Sequence, residues 1–178
     1  MNYRVYLSAH EITQLVDYCA SKTTLRAHGG KDVFICILDG GMFFYTDLLR
    51  AMVNQSNFKQ EVITDTIKVS SYKGTTQGDV QITKWPSHDL NGCNVWLVDD
   101  MVDSGKSVRV VADVLAERFP DILDINVVAL LKRHRADVGT LVDRLIYGKV
   151  VTEDGWLHGY GFDNDGQGRH LPYIMISC

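Results

Sequence analysis

The chain has 178 residues, the size of one globular domain, and its 46% hydrophobic and 22% charged residues are ordinary for a folded protein. Its net charge of -4, without any run rich in Lys or Arg, argues against a protein whose main partner is nucleic acid. No apolar run approaches the ~20 residues needed to cross a bilayer, so we expect no membrane partner.

The four cysteines point to a reducing compartment. Cys19, Cys36, Cys93 and Cys178 are widely spaced and include no CxxC pair. Residues 1–4 lead into a helix pattern rather than an apolar signal core. These features predict reduced thiols and a cytoplasmic protein. Since no repeat or linker divides the chain, we expect a single domain over residues 1–178.

The first half of the chain predicts a helix, a buried strand and a second helix. Ser8 and Glu11 form a capping box ahead of apolar residues at helical spacing. Residues 33–38 are a short apolar run, typical of a strand that is buried on both faces. Asp39-Gly40-Gly41 then turns the chain into a second helix. We expect its inner side to carry Tyr45, Leu48, Leu49, Met52 and Val53.

The second half repeats this alternation. Residues 67–71 form a further strand pattern, and Val80, Ile82 and Trp85 alternate with polar residues as in a half-exposed strand. Residues 95–98 predict a buried strand, followed by a helix that begins near Ser104, and residues 125–131 predict another buried strand. Strand–helix–strand order implies parallel pairing, so the predicted class is α/β, a central parallel twisted sheet flanked by helices.

The segment at residues 95–107, VWLVDDMVDSGKS, concentrates the polar chemistry of the chain. Ligands of parallel sheets bind beyond the carboxyl ends of the strands, and the amide groups at a helix start favour phosphate. Asp99, Asp100 and Asp103 would repel a bare phosphate. They suit sugar hydroxyls or a hard cation such as Mg²⁺. Together the segment predicts a site for a phosphorylated sugar.

Two other interpretations compete for this segment. Gly105-Lys106-Ser107 matches the end of a nucleotide-binding P-loop, but that motif requires a glycine at position 100, where this chain has Asp100. The acids could also be a solvated turn, with Ser104 as a simple helix cap. The buried strand and paired acids that precede Ser104 favour a ligand site instead.

The same segment resembles the signature of the type I phosphoribosyltransferases, which use phosphoribosyl pyrophosphate. The pattern is an apolar strand, two acids, two apolar residues, a variable residue and a Thr/Ser-Gly loop. In the 6-oxopurine branch, the hypoxanthine-guanine phosphoribosyltransferases, the variable residue is Asp, as at Asp103. This resemblance implies the fold of that family, with a small hood formed by the chain ends, mainly residues 150–178 plus the N-terminal segment.

The resemblance extends to segments on either side of the signature. Leu38, Asp39, Gly40 and Gly41 match the pyrophosphate loop, where the family usually has Lys in place of Asp39 and where the bond before that residue can be cis. Ser71 and Tyr72 match the start of the loop that closes over the site. Both matches imply contact with the phosphorylated substrate.

The C-terminal half matches the base-binding part of the family. Lys132 matches a residue that donates to the purine 6-oxo group, and Trp156 holds the stacking position. Leu157 and Asp163 would meet the base edge through backbone oxygens, and Arg169 would grip pyrophosphate. Without the resemblance, Trp156 would be assigned to the core and Arg169 to the surface.

The resemblance implies a purine salvage enzyme that makes IMP or GMP and pyrophosphate from phosphoribosyl pyrophosphate and hypoxanthine or guanine. The implied roles are Asp103 as the catalytic residue, Ser104, Gly105, Lys106 and Ser107 as the 5-phosphate site, and Asp99, Asp100 and Asp163 as Mg²⁺ ligands. It also suggests a homodimer or homotetramer. Two alternatives remain open: another acceptor, such as xanthine or a pyrimidine, and a regulator that binds nucleotide and nucleic acid without catalysis.

Overall fold

The computed structural model describes residues 2–25, 29–55, 61–71 and 80–177 of the chain. Within these ranges the helices are α1 (Ala9–Lys22), α2 (Met42–Val53) and α3 (Lys106–Arg118). The strands are β1 (Tyr3–Leu7), β2 (Lys31–Leu38), β3 (Ile63–Ser71), β4 (Val80–Lys84), β5 (Cys93–Val102), β6 (Asp124–Arg133), β7 (Arg144–Val151), β8 (Leu157–His158) and β9 (Ile174–Ser177).

Six of the described strands form one sheet in the order β4-β3-β2-β5-β6-β7. The neighbours from β3 to β7 are parallel, while β4 returns antiparallel along β3. This architecture confirms the predicted α/β class. Since parallel strands present their carboxyl ends on one edge, the segments after β2, β5 and β6 gather on that edge.

The core of the described residues lies on the two faces of this sheet. Alternate residues of one strand point to opposite faces, so Phe34 belongs to one cluster while Val33 and Ile35 belong to the other. The first cluster contains α1 and α2, and the second contains α3. Burial on both faces explains why the central strands are continuous apolar runs.

The two chain ends form a smaller antiparallel sheet, β1-β9-β8, as the predicted hood requires. Tyr3 pairs with Ser177, so this sheet joins residues from opposite ends of the sequence. It packs on the cluster that holds α1 and α2, through Leu7, Leu157 and Ile174. The hood is thereby fixed to the same side of the large sheet as α2.

Local details of the helices match the sequence in part. The Ser8–Glu11 capping box is confirmed, because each side chain bonds the backbone N–H of the other residue. Val53 was wrongly expected on the inner side of α2, since this last helical residue is 64% exposed. The helix expected near Ser104 begins at Lys106, because Gly105 adopts a left-handed conformation before it. Trp85 lies one residue beyond β4.

The described cysteines are buried free thiols: Cys19, Cys36 and Cys93. Burial raises the pKa of Cys19 and of Cys36 to about 12, so both stay protonated at neutral pH. Cys178 lies outside the described residues. No helix in the described ranges is long and apolar enough to cross a membrane.

Candidate active site

Two adjacent carboxylates stand at the end of the central strand β5. Asp99 and Asp100 are half-buried at the carboxyl edge of the sheet. The Asp100 N–H donates to Asp99 Oδ1 at 2.9 Å, and the Met101 N–H donates to Asp100 Oδ1 at 2.8 Å. These hydrogen bonds from backbone N–H groups orient both carboxylates within the extended strand.

This arrangement disfavours two full negative charges. Burial raises the pKa of both carboxyls, and the charge of Asp100 raises the pKa of Asp99 further. For Asp100 the hydrogen bonds from Asp99 and Met101 and the nearby Arg169 cation act in the opposite direction. The pair is therefore suited to receive hydroxyl donors or a cation, which would relieve its repulsion.

The turn after β5 forms a small cavity of about 180 Å³ at the start of α3. Six predicted site residues line it: Asp99, Asp103, Ser104, Gly105, Lys106 and Ser107. Ser104 Oγ accepts from the Lys106 N–H at 3.3 Å, which orders the first turn of the helix. Backbone N–H groups at a helix start, with flanking hydroxyls, are suited to hold a phosphate group.

Only glycine fits at the centre of this turn. Gly105 has φ +85°, and a Cβ there would lie 1.7 Å from the carbonyl oxygen of Asp137. The same neighbouring segment donates from the Asp137 N–H to the Ser104 carbonyl oxygen at 3.2 Å. The segment at Asp137 therefore supports the turn from behind.

Asp103 lies next to two arginines that sequence reasoning missed. Its Oδ1 is 3.6 Å from Nε of Arg133 and 3.7 Å from Nη2 of Arg135. Arg133 also donates to the carbonyl oxygens of Glu153 and Gly155, the latter at 2.8 Å. The available sequence signal is that both arginines follow a buried strand directly, in the run that begins with Lys132.

The turn after β2 packs directly against the acid pair. The Leu38–Asp39 bond is cis, as expected for this loop. A Cβ on Gly40 would lie 2.4 Å from Asp100 Oδ2, and one on Gly41 would lie 2.9 Å from the Val98 carbonyl oxygen. Small residues at both positions let the backbone of this turn approach Asp99 and Asp100.

The segment from Trp156 to Arg169 reaches the same region from the hood. Trp156 is 63% exposed, contrary to a core assignment, and its indole N–H donates to the Asp163 carbonyl oxygen at 3.2 Å. Asp163 pairs with Arg169 at 2.6 Å, and Arg169 also donates to the Gly161 carbonyl oxygen. The backbone of Gly161 lies against Gly40 and Asp100, which places this pair beside the acids.

The remaining predicted residues are placed as follows. Lys132 lies near the end of β6, in register with Val102, and its ammonium group is 5.6 Å from the ring centroid of Tyr147. Leu157 begins β8 with its side chain in the core. Ser71 ends β3, and Tyr72 lies outside the described residues.

The predicted metal ligands do not gather into one cluster. Across residues 2–25, 29–55, 61–71 and 80–177, no three His, Cys, Asp or Glu side chains are close enough to hold a metal ion together. Asp163 is instead engaged by Arg169 and by the Gly166 N–H. The adjacent Asp99 and Asp100 do fit Mg²⁺, which commonly uses one or two carboxylates together with water and substrate oxygens.

Comparison with known proteins identifies the family of the chain. Residues 3–155 match the phosphoribosyl transferase domain family. The chain is 30% identical to a hypoxanthine-guanine-xanthine phosphoribosyltransferase of Tritrichomonas foetus, over 97% of this chain and 90% of the relative. It is 33% identical to the hypoxanthine phosphoribosyltransferase of Escherichia coli K12, over 82% of this chain and 78% of the relative.

A solved structure shares the fold over its whole length. The hypoxanthine-guanine phosphoribosyltransferase of Bacillus anthracis is 26% identical, with a TM-score of 0.80 and coverage of 100% of both chains. The family match covers most of the chain, and the curated relative from Tritrichomonas foetus extends over nearly all of it. The chain belongs to the phosphoribosyltransferase family, in the branch of the hypoxanthine-guanine phosphoribosyltransferases.

Proposed function

We propose that this protein transfers the 5-phosphoribosyl group of phosphoribosyl pyrophosphate to hypoxanthine or guanine, forming IMP or GMP and pyrophosphate. One observation carries the proposal. The cavity at the start of α3 combines a phosphate-binding turn with Asp99 and Asp103. A sugar that bears a phosphate at one end and hydroxyls at its centre matches this order of donors and acceptors.

The turn at residues 103–107 would hold the 5-phosphate. The backbone N–H groups that open α3 point toward its N-terminal end, and Ser104 and Ser107 add hydroxyl donors. Because Gly105 is fixed by the Asp137 segment, these donors are in place before the ligand arrives. Preorganised donors bind an anion without the cost of ordering a loop.

Asp99 and Asp100 would accept from the 2- and 3-hydroxyls of the ribose. A bound Mg²⁺ would supply neutralisation of the departing pyrophosphate. The negative charge of the pair would also stabilise the positive charge that develops on the sugar as the bond from C1 to pyrophosphate breaks. Arg169, which stands beside Asp100, is the nearby cation on the pyrophosphate side.

Asp103 would accept the purine proton. As N9 of the base bonds to C1 of the ribose, the base must lose a proton, and Asp103 would take it from N7 or relay it. Asp103 is an exposed carboxylate on the rim of the cavity. The two neighbouring arginines, Arg133 and Arg135, would orient it. A positioned base of this kind contributes about 10²–10⁴-fold to the rate.

The base would bind between the hood and the end of β6. Trp156 offers an exposed indole for stacking, which contributes ~1–3 kcal/mol per base in comparable sites. Lys132 would donate to the 6-oxo group, and the backbone oxygens of Leu157 and Asp163 would accept from the base edge. A lysine has only donors, so an oxopurine is favoured over an aminopurine at that position.

We further propose that residues 1–178 act as one domain in the cytoplasm, as a homodimer or homotetramer. Buried free thiols at Cys19 and Cys36 suit a reducing compartment. The exposed apolar side chains of Met42 and Val53, at the two ends of α2, offer contact area for a second copy. Light scattering of the purified protein tests the assembly.

A substrate panel tests the activity. The protein is mixed with phosphoribosyl pyrophosphate and Mg²⁺, and hypoxanthine, guanine, xanthine, adenine and uracil are offered separately. We expect the absorbance change of nucleotide formation with hypoxanthine or guanine, and none with adenine or uracil. Absence of nucleotide with all five bases would refute the proposal. A filter-binding assay with RNA and DNA covers the alternative of a non-catalytic regulator.

A further inference from the structure

An ion pair joins the turn after β2 to the neighbouring strand β3. The ammonium group of Lys68 lies 2.9 Å from Asp39 Oδ2 and 3.1 Å from Oδ1, so it contacts both carboxylate oxygens. Leu38 and Lys68 are register partners in the parallel pair, which places Asp39 one residue beyond the end of β2. The pair therefore stands at the carboxyl edge of the sheet, where the candidate site lies.

The glycine turn has a second ion pair nearby, between Arg169 and Asp163. Asp39 precedes Gly40, whose backbone touches both Asp100 and Gly161. On the Gly161 side, Arg169 is held by Asp163. On the β3 side, Lys68 is held by Asp39. Each flank of the turn thus presents a cation that is oriented by a carboxylate.

The negative charges around this turn would hinder the binding of a diphosphate unless a cation is nearby. Asp39 alone would add a negative charge to a turn that already touches Asp100, and a diphosphate approaching it would be repelled. Pairing with Lys68 cancels that charge. Lys68 and Asp39 keep 43% and 50% of their side chains exposed, so the pair contributes little to folding stability. Its ammonium group can turn to an incoming anion at small cost.

We propose that Lys68 binds the diphosphate of phosphoribosyl pyrophosphate, and that Asp39 is a positioning residue that aims the Lys68 ammonium group at it. This assignment rests on the proposed function. The cation that the family usually carries at position 39 is thereby supplied from the adjacent strand. Lys68 donates to the diphosphate oxygens, and Asp39 continues to accept from one of its N–H groups.

The test measures binding of inorganic pyrophosphate in the presence of Mg²⁺ by calorimetry, together with the KM values of both substrates. Lys68→Met should weaken pyrophosphate binding by about tenfold or more, as expected for the loss of one charge-assisted hydrogen bond. The KM of the base should stay unchanged. Lys68→Arg should retain most of the affinity. The matched control is Lys31→Met, an exposed lysine at the opposite end of β2, which should have no effect.

The role of Asp39 is tested by a double-mutant cycle. Asp39→Asn should weaken pyrophosphate binding less than Lys68→Met does, and it should cause no further loss when Lys68 is already Met. Tighter binding by Asp39→Asn, or additive losses, would overturn the positioning role. If the wild type makes nucleotide and Lys68→Met binds pyrophosphate as tightly as the wild type, only the assignment of Lys68 is overturned. A wild type without transferase activity would instead overturn the proposed function.

Discussion

The Nε atom of Arg133 lies 3.6 Å from Oδ1 of Asp103, and it is a buried N–H group without a hydrogen bond in the described part of the structure. The other nitrogens of the same guanidinium donate to the carbonyl oxygens of Glu153 and Gly155. Arg133 thus connects the acidic turn after β5 with the segment that leads to β8. The position of Asp103 is coupled to the hood through one side chain.

Asp103→Asn should abolish most of the turnover while nucleotide binding stays nearly intact. The amide keeps the size of the side chain but cannot accept the purine proton, so we expect kcat to fall by about 10²–10⁴-fold. Product affinity is measured by calorimetry with IMP or GMP. Asp113→Asn, on the exposed face of α3, is the control. Turnover equal to that of the wild type would remove Asp103 from its assigned role.

Arg133→Met should lower the free energy of unfolding far more than Arg135→Met does. The Arg133 side chain is 11% exposed and bonds two carbonyl oxygens, whereas that of Arg135 is 62% exposed. A hydrogen bond from a charged donor such as Arg133 contributes about 1.5–3 kcal/mol, while an exposed ion pair contributes about 0–1 kcal/mol. Urea unfolding measures both losses. Equal losses would mean that Arg133 does not support the hood.

Gly105→Ala should destabilise the protein more than the matched control Gly92→Ala does. Gly105 (φ +85°) and Gly92 (φ +69°) both need a left-handed backbone, but an added Cβ meets the Asp137 carbonyl at position 105 and nothing within 4 Å at position 92. Backbone strain alone costs about 1–3 kcal/mol in each variant. We therefore expect Gly105→Ala to be the less stable protein and to raise the KM of phosphoribosyl pyrophosphate. Equal effects at both positions would argue against a preformed turn.

The sequence predicts the central fold because its signals are local. Runs such as residues 33–38 and 95–98 are apolar throughout, since their strands are buried on both faces of the sheet. The strands that were not predicted lack such a signal. β1 pairs with β9 across almost the whole chain, and β7 is half-buried with an irregular pattern. Non-local pairing leaves no mark on a short stretch of sequence.

The site was predictable to the same extent. Polar residues that follow a buried strand directly, such as Asp99 and Asp103, are placed at the sheet edge by topology alone. The partners of these residues were not predictable, because Arg133 reaches Asp103 and Lys68 reaches Asp39 only through neighbouring strands. The pairing of Asp163 with Arg169 was not predictable either, because it depends on how the loop between these residues folds.

Asp99→Asn should stabilise the free protein increasingly as the pH rises. Burial and the neighbouring Asp100 raise the pKa of Asp99 above the ordinary value of 3.8. Above that value the unfolded chain releases its proton while the folded site retains it, so the free energy of unfolding of the wild type falls with rising pH. Asparagine removes this loss. From about pH 4 upward, until Asp99 itself ionises in the folded protein, the Tm of the variant should rise relative to that of the wild type, by about 2–4 °C for each kcal/mol of difference in the free energy of unfolding. Thermal unfolding across this range measures the gain, and Asp113→Asn, which removes an exposed carboxylate, is the control. A difference in Tm between variant and wild type that is the same at every pH would contradict the charge repulsion between Asp99 and Asp100.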